Sequence, residues 1–329
     1  MKKVLLTGAT GFIGRHCLRA LADAGSFDEI HAVSTREDAS GLAHESALDV
    51  DSATATTRAS VVVRWHRANL LSDADVRRVL AEVRPTHLLH MAWYAEPGKY
   101  WTSPVNEEWL RASKELLRAF VEHGGERVVV AGTCAEYDWS DGGYCSEQET
   151  RLLPATLYGK CKHALHQALE ELSHDTNLSA AWGRIFFLYG THEHPQRLVA
   201  SVIRSLLRNE PARCTHGEQL RDFLYVRDVA DAFASLLESD VRGAVNIASG
   251  RTVALKEVIG EIGRALDKPH LIQLGALPAP ANEPPVLAAH TGRLNQEVRW
   301  SPRYDLRAGL RETIEWWQSN MAVSRSPQQ

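Results

Sequence analysis

Residues 4–14 read Val-Leu-Leu-Thr-Gly-Ala-Thr-Gly-Phe-Ile-Gly, and this stretch decides the architecture of the chain. A short apolar strand runs into Gly8, Gly11 and Gly14. A helix follows whose apolar positions Phe12, Ile13, Cys17, Leu18 and Leu21 recur at helical spacing. Gly8 permits a tight turn without a Cβ clash. Gly11 lets backbone approach a pyrophosphate, and Gly14 lets the helix pack closely on its strand. Phosphates then rest on unpaired amides at the positive end of the helix dipole. A glycine-rich turn alone is a weak signal. The strand before it and the helix after it supply the context that dinucleotide binding requires.

Beyond that turn, 329 residues with 44% hydrophobic content suffice for one large α/β unit or two packed domains. A formal charge of −4 shows no basic excess, which argues against a dedicated nucleic-acid binder. The first strand starts almost at Met1, so no secretory signal is expected, and no apolar run approaches bilayer-spanning length. Cys17, Cys134, Cys145, Cys161 and Cys214 are odd in number and lack metal-ligand spacing. That usage fits a reduced cytoplasmic setting with no metal and no membrane partner.

The first half alternates strand and helix patterns, which predicts a doubly wound parallel sheet with helices on both faces. Strands are expected at Lys3–Thr7, Glu29–Ser34, Val61–His66, Thr86–His90, Arg127–Ala131 and Leu178–Phe187. Helices are expected at Phe12–Ala24, Asp73–Val83, Val105–His123 and Tyr158–Ser173. Ser72 and Asp75 read as a capping box opening the second of these. Past Gly190 the rhythm changes to helices at 195–208, 227–238 and 255–266, strands at 221–225 and 244–247, a proline-rich stretch at 278–285, and a last helix at 306–317. The expected division is a dinucleotide-binding domain over 1–187, to which 220–249 returns, a smaller substrate-binding lobe over 188–318, and a frayed tail over 319–329. The cleft between the lobes lies over the carboxyl ends of the strands, where open α/β sheets bind ligands.

Tyr158-Gly-Lys-Cys-Lys162 opens a predicted helix, and a separation of four puts Tyr158 and Lys162 on one face. A free phenol titrates near ~10, too high for efficient proton exchange at neutrality. A neighbouring ammonium favours the phenolate and lowers that value. Thr133, at the end of the fifth strand, places a hydroxyl where it can share the oxygen that Tyr158 protonates. Tyrosine and lysine four apart are common by themselves. The glycine turn and Thr133 turn the pair into a candidate catalytic set.

At this point the chain resembles the extended short-chain dehydrogenase/reductase family of nucleotide-sugar epimerases, dehydratases and reductases. The resemblance spans almost the whole sequence. It rests on Thr7–Gly14, Thr133, Tyr158-xxx-Lys162, Arg184-Ile-Phe-Phe-Leu-Tyr-Gly190, Gly217–Asp228 with Arg221 inside it, and Asn246-Ile-Ala-Ser-Gly250. It implies a Rossmann sheet with a dinucleotide held by Gly8, Gly11, Phe12, Ile13, Gly14, Ser34, Arg36 and Asn69, together with Tyr158 and Lys162. It also implies a nucleotide-diphosphate sugar touched by Trp93, Cys134, Phe187, His192 and Arg221, with Arg221 on the diphosphate or ribose. The alternative for Arg221 is a surface ion pair with Asp222 or Glu218, and the ligand role is preferred because a guanidinium fork suits phosphate.

Several positions narrow the expectation. Dehydratases of the family carry Asp-Glu directly after the catalytic threonine, where this chain has Cys134 and Ala135. Glu136 is expected to face the wrong way on a continuing strand. Dehydration is therefore disfavoured. NAD enzymes place an acidic residue at the end of the second strand. Here Ser34, Thr35 and Arg36 suit a 2′-phosphate and point to NADP, while Glu37 serves NAD if the turn shifts by a residue or two. Trp109 stands where an asparagine braces the catalytic helix in the family, and Trp93 enlarges the loop after the fourth strand. The run from Cys214 to Phe223 with Asn282-Glu283 is similar to CDP-abequose and CDP-paratose synthases. Tyr189-Gly-Thr-His192 resembles GDP-fucose synthases, but their cysteine falls on Ala135 here, so His192 and His194 are read in preference as loop histidines bonded locally or contacting substrate.

The resulting expectation is NADPH-dependent reduction of a 4-keto-6-deoxy sugar on a CDP or dTDP carrier. A 4-epimerase with bound NAD and a catalytically silent NADP-sensing scaffold are the alternatives. The family also implies a homodimer through the helices at 105–123 and 158–173. Leu110, Leu117, Phe120, Leu165 and Leu169 serve either that contact or the core.

Overall fold

The apolar alternation of the first strand sorts the molecule into layers. Val4 and Leu6 pack on one side of the sheet and Leu5 on the other, as a period of two requires. The computed structural model describes residues 1–36, 61–140, 142–279 and 283–323. The chain begins β1 (Lys3–Thr7), α1 (Gly14–Ala24), β2 (Glu29–Ser34), β3 (Val62–Arg67), α2 (Asp73–Val83), β4 (His87–His90), α3 (Val105–Glu122) and β5 (Arg127–Thr133). It continues with β6 (Gly143–Cys145), α4 (Leu157–Asp175), β7 (Ser179–Ile185), β8 (Phe187–Tyr189), α5 (Leu198–Leu207), β9 (Ala212–Arg213), β10 (Leu220–Tyr225) and α6 (Val226–Glu238). The last elements are β11 (Gly243–Ile247), β12 (Thr252–Ala254), α7 (Leu255–Ala265), β13 (Ile272–Gln273), β14 (Val286–Ala289), α8 (Gly292–Gln296) and α9 (Leu306–Val323).

Seven strands form one parallel sheet in the order β11-β7-β5-β4-β1-β2-β3. The order reverses between β1 and β4, which opens a crevice at their carboxyl ends. Cys17, Leu18 and Leu21 of α1 and Val229, Phe233 and Leu237 of α6 cover one face. Leu80 of α2, Leu116, Leu117 and Phe120 of α3, and Leu165 and Leu169 of α4 cover the other. A second, mixed sheet of β12-β10-β14-β6 with β8 on β10 builds the smaller lobe. The fold is thus α/β, a Rossmann-like sheet with a smaller C-terminal lobe.

Three local expectations change. The apolar run 178–187 is not one strand. β7 ends at Ile185, and Phe187–Tyr189 pairs with β10 in the other sheet. Both segments are apolar, so periodicity does not mark the crossing. Ser72 caps α2 by accepting from the Asp75 amide, but the Asp75 carboxylate passes over it to accept from the Asn69 amide at 2.8 Å. The helix α9 runs through 319–323 instead of fraying at Ser319, and the rest of that expected tail lies outside the described residues.

The side chains offered for a helical dimer contact face the sheet. Leu117, Phe120, Leu165 and Leu169 are all buried in the core, and Leu110 packs against it. The outer face of α3 carries Glu107, Glu108, Arg111 and Arg118 instead. Among the described residues, no helix is long and apolar enough to cross a membrane.

Gly14 sits where α1 crosses the preceding turn, and a Cβ there would lie 2.0 Å from the Gly8 carbonyl oxygen. Gly14→Ala is therefore expected to cost about 1–3 kcal/mol in urea unfolding through overpacking. Gly292→Ala meets open space and is the control, expected to stay within about 0.5 kcal/mol of the parent.

Candidate active site

The dinucleotide turn is built from backbone. Gly8 has φ +71°, and its carbonyl accepts from the Gly11 amide at 2.9 Å. The residue that caps α1 is Ile13, whose side chain cannot satisfy a helix amide, and no acidic residue occupies the first turn. Among the described residues the amides of Phe12 and Ile13 make no hydrogen bond. Unpaired donors at a positive helix end with no competing carboxylate fit a pyrophosphate.

The far end of that cleft is less committed. Ser34 is buried at the end of β2, and its hydroxyl accepts from the Arg36 amide at 3.0 Å. Thr35 and Arg36 are exposed. Asn69 is exposed too, and its Oδ1 accepts from the Leu71 amide at 3.1 Å. Glu37, the acidic alternative, lies outside the described residues.

Two chain segments bring Thr133, Tyr158 and Lys162 together. Thr133 is the last residue of β5, and residues 134–136 form a single tight turn. Thr156 caps α4 by accepting from the Gly159 amide at 3.1 Å, which fixes Tyr158 in the first turn of that helix. The Tyr158 hydroxyl is in hydrogen-bond contact with the Thr133 side chain. Tyr100 and Trp101 stand edge-on to its ring, with centroids 4.9 and 5.8 Å away. Lys162 is buried, and its Nζ donates to the Ala131 carbonyl at 2.9 Å.

The electrostatics run opposite to the expectation from the pair alone. Burial pushes the Tyr158 phenol up from its ordinary value, with the neighbouring Tyr100 adding to the rise and Thr133 opposing it. Lys162 is drawn down to about 7 by burial, with Glu136 pulling it back up. The ammonium is spent on Ala131 and on the face of Trp93, 3.9 Å from the ring centroid. The chain by itself therefore keeps the proton on Tyr158.

Beneath these residues lies a buried polar network that strand periodicity hides. The strand ends at Thr133, so Glu136 turns inward instead of facing away on a continuing strand. Its Oε1 accepts from the Thr133 amide at 2.8 Å and its Oε2 from Arg184 Nε at 2.9 Å. Trp182 Nε1 donates to both oxygens, and Arg184 donates on to the Tyr137 hydroxyl at 3.1 Å. Tyr137 in turn donates to Asn246. The signal was Thr133-x-x-Glu136, a capping-box spacing that ends a strand. Glu136, His163 and His166 lie close enough to share a cation, and Arg184 already neutralises the carboxylate.

In the smaller lobe, Arg221 is buried and pairs with neither Asp222 nor Glu218. Its Nη2 donates to Glu283 at 2.7 Å, while Glu218 pairs with Lys256 and Asp222 accepts from the amides of Ser249 and Gly250. Gln219 donates to the other Glu283 oxygen at 2.8 Å, and the Arg221 guanidinium lies 5.4 Å from the Phe187 ring centroid. Glu283 thus joins the candidate site from within the proline-rich stretch. Cys134 is buried, and burial pushes its thiol up.

His192 is held by side chains distant in sequence. It has φ +66°, its Nδ1 accepts from Arg15 at 2.7 Å, and Trp316 packs on its ring at 4.5 Å. Burial, with Arg15 beside it, holds it near 4. The Trp109 ring lies 6.3 Å from that of Trp93. Asn106, one turn earlier on α3, is fully buried and donates to the carbonyls of Tyr100 and Ser103. Its Oδ1 accepts from Trp93 Nε1 at 2.8 Å, so Trp93 is locked against Lys162.

The chain belongs to the NAD dependent epimerase/dehydratase family, whose model matches residues 4–248. A UDP-glucose 4-epimerase of Rhizobium leguminosarum bv. trifolii is 25% identical over 340 residues, covering 95% of this chain and 96% of that one. A dTDP-glucose 4,6-dehydratase of Salmonella typhimurium (strain LT2) is 20% identical, covering 97% and 93%. The structure of MoeE5 in complex with UDP-glucuronic acid and NAD superposes with a TM-score of 0.77 at 27% identity, covering 97% of this chain and 100% of that one. The protein is accordingly a nucleotide-sugar-modifying enzyme of the NAD(P)-dependent type.

The Glu136–Arg184 pair is nearly inaccessible to water, with side chains 0% and 1% exposed. Arg184→Met leaves a buried carboxylate without its partner and is expected to cost about 3–5 kcal/mol in urea unfolding. Adding Glu136→Gln to it should recover part of that loss. Strictly additive losses would contradict the coupling.

Proposed function

We propose that this chain is a 4-epimerase of a UDP- or dTDP-linked hexose, working with NAD along the Gly8–Gly14 turn. The observation that carries the reading is the meeting of Thr133, Tyr158 and Lys162 at one strand end. Cys134 and Ala135 follow immediately, where dehydration needs an acid and a base. The relatives support the epimerase over simple reduction, and the NAD of the MoeE5 complex supports the cofactor.

When bound, the dinucleotide supplies acceptance and return of a hydride at the sugar C4. Epimerisation starts from Tyr158 as the phenolate, its resident proton first lost to solvent. The phenolate takes the O4 proton as the C4–H and O4–H bonds give way to C4=O, and returns it when C4 is reduced on the opposite face. Thr133 orients O4 through its hydroxyl. Lys162 donates to the ribose of the dinucleotide. Arg221 meets the sugar diphosphate once Glu283 releases it.

A second reading is reduction of a 4-keto-6-deoxy sugar by NADPH. Ser34 at the end of β2, with Thr35 and Arg36 just past it, favours this reading, because their hydroxyls and guanidinium suit a 2′-phosphate. The proton resident on Tyr158 favours it as well, since ketone reduction needs a donor.

Tyr158→Phe is expected to lower turnover by about two to four orders of magnitude with dinucleotide affinity near wild type. Near-wild-type turnover would remove Tyr158 from its role. Mass analysis of the dinucleotide released from freshly purified protein separates the two readings. Retained NAD with no NADPH consumption on a keto sugar supports epimerisation, and NADP with stoichiometric NADPH consumption supports reduction.

A further inference from the structure

Lys162 stands where an ammonium is hardest to keep. It is 3% exposed, between β5 and α4, and burial draws it down to about 7. An ammonium has three donors. One is placed on the Ala131 carbonyl at 2.9 Å, and the indole of Trp93 covers a second direction at 3.9 Å from its centroid. The indole is not free to turn. Its Nε1 donates to Asn106 Oδ1 at 2.8 Å, and the Asn106 amide is itself pinned on the carbonyls of Tyr100 and Ser103 at 2.7 and 2.8 Å.

We propose that Trp93 is a positioning residue whose indole face, clamped by Asn106, holds the Lys162 ammonium so that its remaining donor is aimed at the dinucleotide ribose. The proposal rests on the reading of Lys162 as the ribose donor. An indole offers a cation its negative face, and the attraction strengthens where water is excluded. The clamp also explains two features that the catalytic set leaves unused. Asn106 is fully buried yet touches none of Thr133, Tyr158 or Lys162 in its hydrogen bonds, and a tryptophan follows β4 where a smaller residue would leave more room.

The other groups facing Lys162 do not replace this support. Glu136 in the turn after β5 attracts the ammonium but is already paired with Arg184. His90, at the end of β4, is held neutral near 3 by burial, between Thr7 at 2.7 Å and Ser113 at 2.9 Å. Tyr158, one turn back on α4, stays protonated. The indole face lies against the ammonium, 3.9 Å from centroid to Nζ.

The test is the pH dependence of NAD and NADP affinity, measured by calorimetry from pH 5.5 to 9 on the full chain, with the pH profile of kcat/KM beside it. Protonated Lys162 binds the ribose, so affinity falls as pH rises through the lysine's titration. A desolvated cation–π contact is strong enough that Trp93→Leu should move this break down by about one pH unit. Affinity then matches wild type at the acid end and is about tenfold weaker at the alkaline end. Trp93→Phe keeps an aromatic face and should move the break by less, which serves if the leucine variant folds poorly. Lys162→Met should abolish the break. A break that survives in Lys162→Met overturns the lysine's role and the proposal with it. A break abolished in Lys162→Met but unmoved in both Trp93 variants, including uniform weakening at every pH, overturns the proposal alone.

Discussion

The ion pair between Glu136 and Arg184 sets where the catalytic end of the molecule can be. Glu136 stops β5 by accepting the Thr133 amide, and Arg184 on the adjoining strand β7 holds the carboxylate in place. A buried carboxylate without that guanidinium would be costly to keep charged. With it, the chain turns sharply after Thr133, and the threonine hydroxyl is left facing Tyr158. Tyr137 and Asn246 extend the same network to β11 and to the carbonyls of Cys145 and His290, so both sheets are tied to one buried charge pair.

The second constraint is exclusion of water. Crowding by Tyr100 and Trp101 raises the phenol, and the sealed position of Lys162 lowers the ammonium. The two shifts have one cause and opposite effects, because burial disfavours whichever form is charged. A tyrosine and lysine one turn apart are therefore not a self-contained acid–base device. Their titration belongs to the aromatic wall and the buried carboxylate around them.

How much was legible follows from this. The parallel sheet was readable from the strand–helix rhythm, and β1, β2 and α2 have the bounds their periodicity predicts. The smaller lobe was less so, because β6, β9, β12 and β13 are only two or three residues long and carry no period. Arg221 was visible as a candidate, but its partner Glu283 is some sixty residues away and no local pattern joins them. His192 shows the same limit. Its contacts with Arg15 and Trp316 come from opposite ends of the chain.

What the residues determined alone was whatever depends on neighbours within a turn or a strand: the glycine turn, the period of each element, the shared face of Tyr158 and Lys162. The tertiary structure decided which way Glu136 points, what Arg221 and His192 hold, and how far each titration moves. Those outcomes depend on desolvation and on partners brought together by folding, and neither is a property of a short window of sequence.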